Sequence, residues 1–213
     1  MKIGFISITS EGLPYLGILL VLTVVVGLIS PKWAVLPLLM FIFVGFFFRD
    51  PKRVIPQDSQ AVLSAADGKI VIIDEVPSLA NPAEKVKRVS IFLSVFNVHI
   101  NRAPVTGQIK AIRYTQGKFH NAMEGKSSVY NENNLLEIEH NGHRVWVRQI
   151  AGMIARRIVC YCSEGDTLRA GDKIGMIKFG SRTDIFLPLD TEITVHLGDR
   201  VKGGESIIGM MKD

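Results

Sequence analysis

Two uncharged apolar stretches open the chain, and short apolar segments separated by turn residues fill the rest. No residue between Glu11 and Lys32 carries a charge, and none between Lys32 and Arg49. As helices rising 1.5 Å per residue, residues 12–31 would span roughly 30 Å, the thickness of a bilayer core, and residues 33–48 only about 24 Å. Ser30, Pro31 and Lys32 punctuate the two runs, so the pattern predicts a tight helical hairpin over residues 1–50, spanning or re-entrant. Apolar residues on every face argue for lipid contact rather than for a buried soluble hairpin. A cleaved signal peptide fits poorly, because Lys2 is the lone basic residue ahead of the run and no small-residue cleavage site follows.

Beyond Phe48 the pattern becomes that of strands. Residues 69–76, 88–94, 108–114, 135–140, 144–150 and 157–162 are short, rich in Val and Ile, and bounded by turn residues. Asn141-Gly142, between LLEIEH and HRVWVRQI, predicts a type I′ hairpin, in which both central residues take positive φ. The run Gly165-Asp166-Thr-Leu168-Arg-Ala-Gly171-Asp172 recurs 33 residues later as Gly198-Asp199-Arg-Val201-Lys-Gly-Gly204-Glu205. Ala66-Asp67-Gly68 and Val105-Thr106-Gly107 are two further turn-to-strand starts of one style. This punctuation resembles the barrel-sandwich hybrid of lipoyl- and biotinyl-carrying domains. The expected fold is therefore mainly β (α+β): a barrel-sandwich-hybrid-like domain over residues 51–213 behind an amino-terminal apolar helical hairpin.

Charge sharpens the division. Lys+Arg number 25 against 20 Asp+Glu, yet Glu11 is the only acid before Asp50. The positive mean hydropathy of +0.25 thus comes largely from the first fifty residues. Such a composition excludes a disordered chain, a disulfide scaffold and a wholly soluble enzyme. Arg49, Lys52 and Arg53 after the second run place that end, and the body, at the cytoplasmic face of the cell membrane. Either attraction to anionic lipid or plain solubility accounts for the body's mild excess of base. No basic run is interleaved with aromatics, so nucleic acid is not an expected partner. His140 and His143 bracket the hairpin turn with too few further ligands for a metal, and none is expected. Cys160 and Cys162 share one strand face and read as reduced core residues.

Chemistry enters between the two repeat copies, at Lys178-Phe179-Gly180-Ser181-Arg182-Thr183-Asp184. A strained turn there would aim the Ser181 hydroxyl at the Gly180 carbonyl, which no side chain shields. Attack would convert the amide to an ester. β-Elimination would then cut the chain and leave dehydroalanine, which water converts to a pyruvoyl group and ammonia.

Here the sequence resembles the phosphatidylserine decarboxylase proenzymes of the short bacterial or archaeal type. The resemblance spans nearly the whole chain: the apolar hairpin, Ala66-Asp67-Gly68, Phe92 to Pro104 (FLSVFNVHINRAP), Gly117 to Ala122 (GKFHNA), Asn131-Glu132-Asn133 and Phe179-Gly180-Ser181. It implies a self-processing, pyruvoyl-dependent carboxy-lyase that converts phosphatidylserine to phosphatidylethanolamine and carbon dioxide. It implies cleavage between Gly180 and Ser181 into a β chain of residues 1–180 and an α chain of residues 181–213. The two would remain associated, and a homo-oligomer stays open. The pyruvoyl group derived from Ser181 would form a Schiff base with the substrate amine and take up the electrons that carbon dioxide leaves behind.

By the same resemblance Asp67 orients the base or Ser181 in self-cleavage, and His99 transfers protons in decarboxylation. Longer members carry a second histidine where this chain has Arg102. Either His99 serves both steps or Arg102 polarises the Gly180 carbonyl. Arg182, where longer members have threonine, would bind a lipid phosphate or stand as a solvated surface arginine. Phe119 and Ala122 are weaker candidates for the lipid pocket wall. The competing class is a membrane-anchored carrier or adaptor without catalysis. That class needs an exposed lysine at a hairpin tip, usually between methionines, a setting that Lys178 and Lys202 lack.

Overall fold

The computed structural model describes residues 2–3, 6–117, 131–152, 158–178 and 181–212. The chain divides into two units, Met1–Lys52 and Arg53–Asp213. The first contains strands β1 (Lys2–Ile3) and β2 (Ile6–Ile8), helices α1 (Leu13–Ile29) and α2 (Pro31–Phe47), and strand β3 (Arg49–Pro51). The three strands form one antiparallel sheet. A proline sits in the first turn of each helix, where it has no intrahelical N–H to lose, and Ser30 is the single extended residue between them. Residues Ser10–Ile29 are long and apolar enough to cross a membrane by length and composition, and Pro31–Phe47 is shorter. Ile18, Leu28, Ile29 and Trp33 are exposed. The pair of helices is the hairpin that the apolar runs predict.

The second unit is built almost wholly of strands: β4 (Ala61–Leu63), β5 (Gly68–Pro77), β6 (Lys85–Leu93), β7 (Ile100–Arg102), β8 (Gly107–Thr115), β9 (Asn133–His140), β10 (His143–Ala151), β11 (Ile158–Cys160), β12 (Thr167–Leu168), β13 (Lys173–Ile177), β14 (Ser181–Leu187), β15 (Glu192–Ile193), β16 (Arg200–Val201) and β17 (Ile207–Met210). Eight of them form a curled antiparallel sheet in the order β12-β8-β9-β10-β14-β6-β5-β16. Two three-stranded sheets, β11-β13-β7 and β15-β17-β4, complete the unit. Alternate residues of the long strands, such as Val89, Ile91 and Leu93 or Val145 and Val147, meet in one buried core. Asn141 and Gly142 take φ of 47° and 81°, the positive values that the hairpin signal requires.

The 33-residue repeat marks a pseudo-twofold axis. It runs through the pair Val147↔Ile185, where β10 meets β14 at the centre of the large sheet. About this axis β9 matches β6, β8 matches β5 and β12 matches β16. Leu168 pairs with Gly107 as Val201 pairs with Gly68. Gly171 N donates to Ala103 O and Gly204 N to Ser64 O, each at 2.8 Å. Both glycines hold positive φ, at 86° and 76°, and they meet at the axis, where a Cβ on Gly204 would lie 3.5 Å from Gly171 Cα. The three-stranded sheets correspond as well. Val159 opposes Met176 and Cys160 opposes Gly175, as Glu192 opposes Met210 and Ile193 opposes Gly209. Cys160 and Cys162 therefore stand where the other half has Ile193 and Val195, and all four pack on the main core.

One element departs from the sequence reading. Ser181, expected within a strained turn, is not itself a turn residue. It is the first residue of β14, a strand paired along its length with β6 and β10.

Candidate active site

All seven residues of β14 are buried, because the strand is inside the sheet and both its faces are covered. Ser181, Thr183, Ile185 and Leu187 share the face toward the main core, and Arg182, Asp184 and Phe186 share the other. Ser181 lies between Leu93 of β6 and Ala151 of β10. Its Oγ has no hydrogen-bond partner among the described residues. A buried hydroxyl left so forfeits about 1–3 kcal/mol of solvation, a cost that points to a use for the group. A buried hydroxyl without a partner at the start of a strand is a candidate nucleophile.

A chain of buried amides underlies it. Asn101 of β7 donates from Nδ2 to Thr183 Oγ1 at 2.9 Å and accepts at Oδ1 from Gln149 Nε2 at 2.8 Å. Gln149 Oε1 in turn accepts from Asn134 Nδ2 at 3.0 Å. Gly175 makes room for it, since a Cβ there would come 2.8 Å from Gln149 Nε2. Asn101, Gln149 and Thr183 escaped the sequence reading. Each is a polar residue at a buried position of its strand.

His99, two residues ahead of Asn101, is fully buried. Its carbonyl accepts from Ile177 N at 3.3 Å, which ties it to the end of β13, four positions before Ser181. Asp67 immediately precedes β5. Arg53 Nη2 donates to both of its carboxylate oxygens, at 2.8 and 2.9 Å, and Gly203 N donates to Oδ1 at 2.8 Å. Lys69, Phe92 and Arg182 lie in one row across β5, β6 and β14. Asp67 therefore stands at the same end of the sheet as Ser181, two strands over, with the β5 and β14 backbones about 10 Å apart.

Arg102 is buried beside this group, and its Nη1 donates to the Gly171 carbonyl at 2.9 Å. Arg182 is no solvated surface residue. Its side chain is wholly buried, with Nε and Nη2 donating to Asp184 at 2.9 and 3.2 Å. A guanidinium in that position needs a carboxylate within reach. Arg148 lies on the same face, 5.1 Å from the Phe186 ring; burial lowers its pKa, and Asp184 opposes the shift. Gly180, Phe119 and Ala122 lie outside the described residues.

The pseudo-twofold axis gives an internal control. Thr106 occupies the place of Asp67, and its Oγ1 accepts from Ala170 N at 3.0 Å as Asp67 accepts from Gly203. By the strand registers Asn101 matches Val62, Thr183 matches Val145, Gln149 matches Leu187 and Arg102 matches Leu63. One half of the fold thus carries polar groups where the other is apolar. Folding does not require them there.

A family model described as phosphatidylserine decarboxylase matches residues 40–209. The chain is also similar to curated relatives named phosphatidylserine decarboxylase proenzyme. That of Desulfotalea psychrophila is 40% identical over 210 residues, covering 97% of each chain. The relative from Carboxydothermus hydrogenoformans is 48% identical over 206 residues, 95% of each. A third, from Polynucleobacter asymbioticus, is 46% identical over 200 residues, 91% of this chain and 90% of the relative. The chain belongs to the phosphatidylserine decarboxylase family. Family membership favours the lyase reading over the carrier or adaptor module. Within a phosphatidylserine decarboxylase fold, the matched span takes in Asp67, His99 and Ser181 together.

Proposed function

We propose that this chain cuts itself between Gly180 and Ser181 and then decarboxylates phosphatidylserine to phosphatidylethanolamine at the cytoplasmic face of the cell membrane. The observation that carries the reading is the buried Ser181 Oγ at the head of β14, without a hydrogen-bond partner among the described residues, in a chain of this family. The pyruvoyl group made from Ser181 would supply a carbonyl that draws off the electron pair released with carbon dioxide. Arg53 and Gly203 N hold the Asp67 carboxylate in one orientation, suited to directing a proton away from the Ser181 hydroxyl. His99, shut off from water, handles the proton that replaces carbon dioxide on the substrate carbon. Asn101 fixes the start of β14 through Thr183, so that residue 181 keeps its place when the peptide bond before it is broken. The new α chain would stay bound, because β14 is hydrogen-bonded on both sides and its inner face is part of the core. The apolar hairpin keeps the enzyme beside its lipid substrate.

Intact mass measurement tests the proposal. The parent is expected as two pieces, residues 1–180 and a 33-residue fragment blocked at its amino terminus, and Ser181→Ala as one inactive chain. An active, uncut parent would sink the reading.

A further inference from the structure

A cleft of about 670 Å³ opens beside Asp67, between the start of β5, the end of β6 and strand β16. Lys69, Arg200 and Lys202 line it, with Phe92 forming an apolar wall. Phe96, 66% exposed, stands on a turn pinned by Asn97 Oδ1, which accepts from Ser94 N and Oγ at 2.9 and 2.7 Å. Asp67 is the one acid in the lining among the described residues, and its charge is already taken by Arg53. Lys69 and Arg200 have no ion-pair partner among the described residues, while Lys202 lies 3.7 Å from Glu205. The cleft is therefore a net cationic hollow with an aromatic lip.

The other half of the fold shows that its backbone does not call for this charge. Across the pseudo-twofold axis, Lys69 corresponds to Gln108, Arg200 to Thr167 and Phe92 to Glu139. The same strand pairing is thus made there with a neutral pair of residues and an acid. We propose that the cleft beside Asp67 binds the phosphodiester of the substrate head group, with Lys69 and Arg200 as its principal cations and Phe96 against the glycerol and first acyl carbons. This rests on the lipid decarboxylase reading and adds the residues that choose a phospholipid over free serine. A phosphodiester carries one delocalised negative charge on two oxygens, which guanidinium and ammonium donors match. The cleft lies at the end of the sheet where Ser181 begins β14, with β6 between them.

The test uses full-length protein in neutral detergent micelles, where no bulk anionic lipid contributes. Lys69→Gln with Arg200→Thr installs residues that the fold already accepts at the matching positions, so folding is expected to survive. The fragment beginning at residue 181 should still appear. The expected result is a KM for phosphatidylserine raised about tenfold or more, with kcat within about twofold. Soluble glycerophosphoserine should compete with substrate in the parent, about tenfold less well in the variant. Serine and inorganic phosphate at equal concentration should compete in neither. Lys69→Arg with Arg200→Lys should keep the parent's KM. An unchanged KM in the neutral variant overturns the assignment, and so does equal competition by inorganic phosphate, which would mark a plain anion site. If the processed parent decarboxylates no lipid, the enzymatic reading fails by itself. Glycerophosphoserine titrated calorimetrically into parent and variant then decides the cleft, equal affinities overturning it.

Discussion

Asp67 and Thr106 occupy matching places and accept the same kind of backbone N–H, but only Asp67 brings a charge and a bound arginine. That contrast separates a turn-building role from a chemical one. Asp67→Thr should keep the bond to Gly203 N and fold, yet slow self-cleavage by about 10²-fold or more, the usual share of a positioned acid or base. The rate at which the 33-residue fragment accumulates measures it; processing at the parent rate would reduce Asp67 to a turn residue. Cys162 offers a second readout. Burial first, then Cys160, Asp166 and Asp172, push its thiol up to about 11. The protonated form is thus favoured in the folded protein, and the thiolate, which is the reactive species, is scarce near neutrality. Iodoacetamide should label Cys162 slowly at pH 8 in the native state and faster as pH climbs toward 11, whereas the unfolded chain should already react near pH 9.

At the scale of elements, the strands were legible because each carries its own alternation and turn residues. Residues 69–76 and 135–140 lie within β5 and β9, and Asn141-Gly142 forms the expected turn. The position of β14 was not legible. Its neighbours β6 and β10 are remote in sequence, and Arg182 could be read as a surface residue until the sheet buries it against Asp184. The Asn101 network was hidden for the same reason, since its members lie on four different strands. Asn101→Ala should leave Gln149 Nε2 and Thr183 Oγ1 buried without their partner and cost about 2–3 kcal/mol. Urea unfolding of the variant in a Ser181→Ala background, where every molecule is one chain, gives the value. A loss of less than about 0.5 kcal/mol, the range of ordinary surface changes, would count against the network.

For the molecule as a whole, the division between Lys52 and Arg53 bears on what the hairpin contributes. The eight-stranded sheet, two of the three smaller sheets and the main core lie within residues 53–213, as do Arg53, Asp67, His99, Asn101 and Ser181. All five of these residues belong to the second unit. The first unit holds the exposed apolar helices, whose burial in lipid would add about 25 cal/mol per Å² to their packing on each other. Removing residues 1–52 should therefore leave a body that folds, releases the 33-residue fragment and stays in the supernatant, while the full chain sediments with membranes. Its turnover on phosphatidylserine vesicles should fall much more than its turnover in detergent micelles, because only the former depends on the enzyme being held at the surface. Fractionation with mass analysis of both forms, and the ratio of the two rates, are the measurements. A truncated chain that folds but stays uncut would show that the hairpin takes part in the chemistry, and a full chain found wholly in the supernatant would remove its anchoring role.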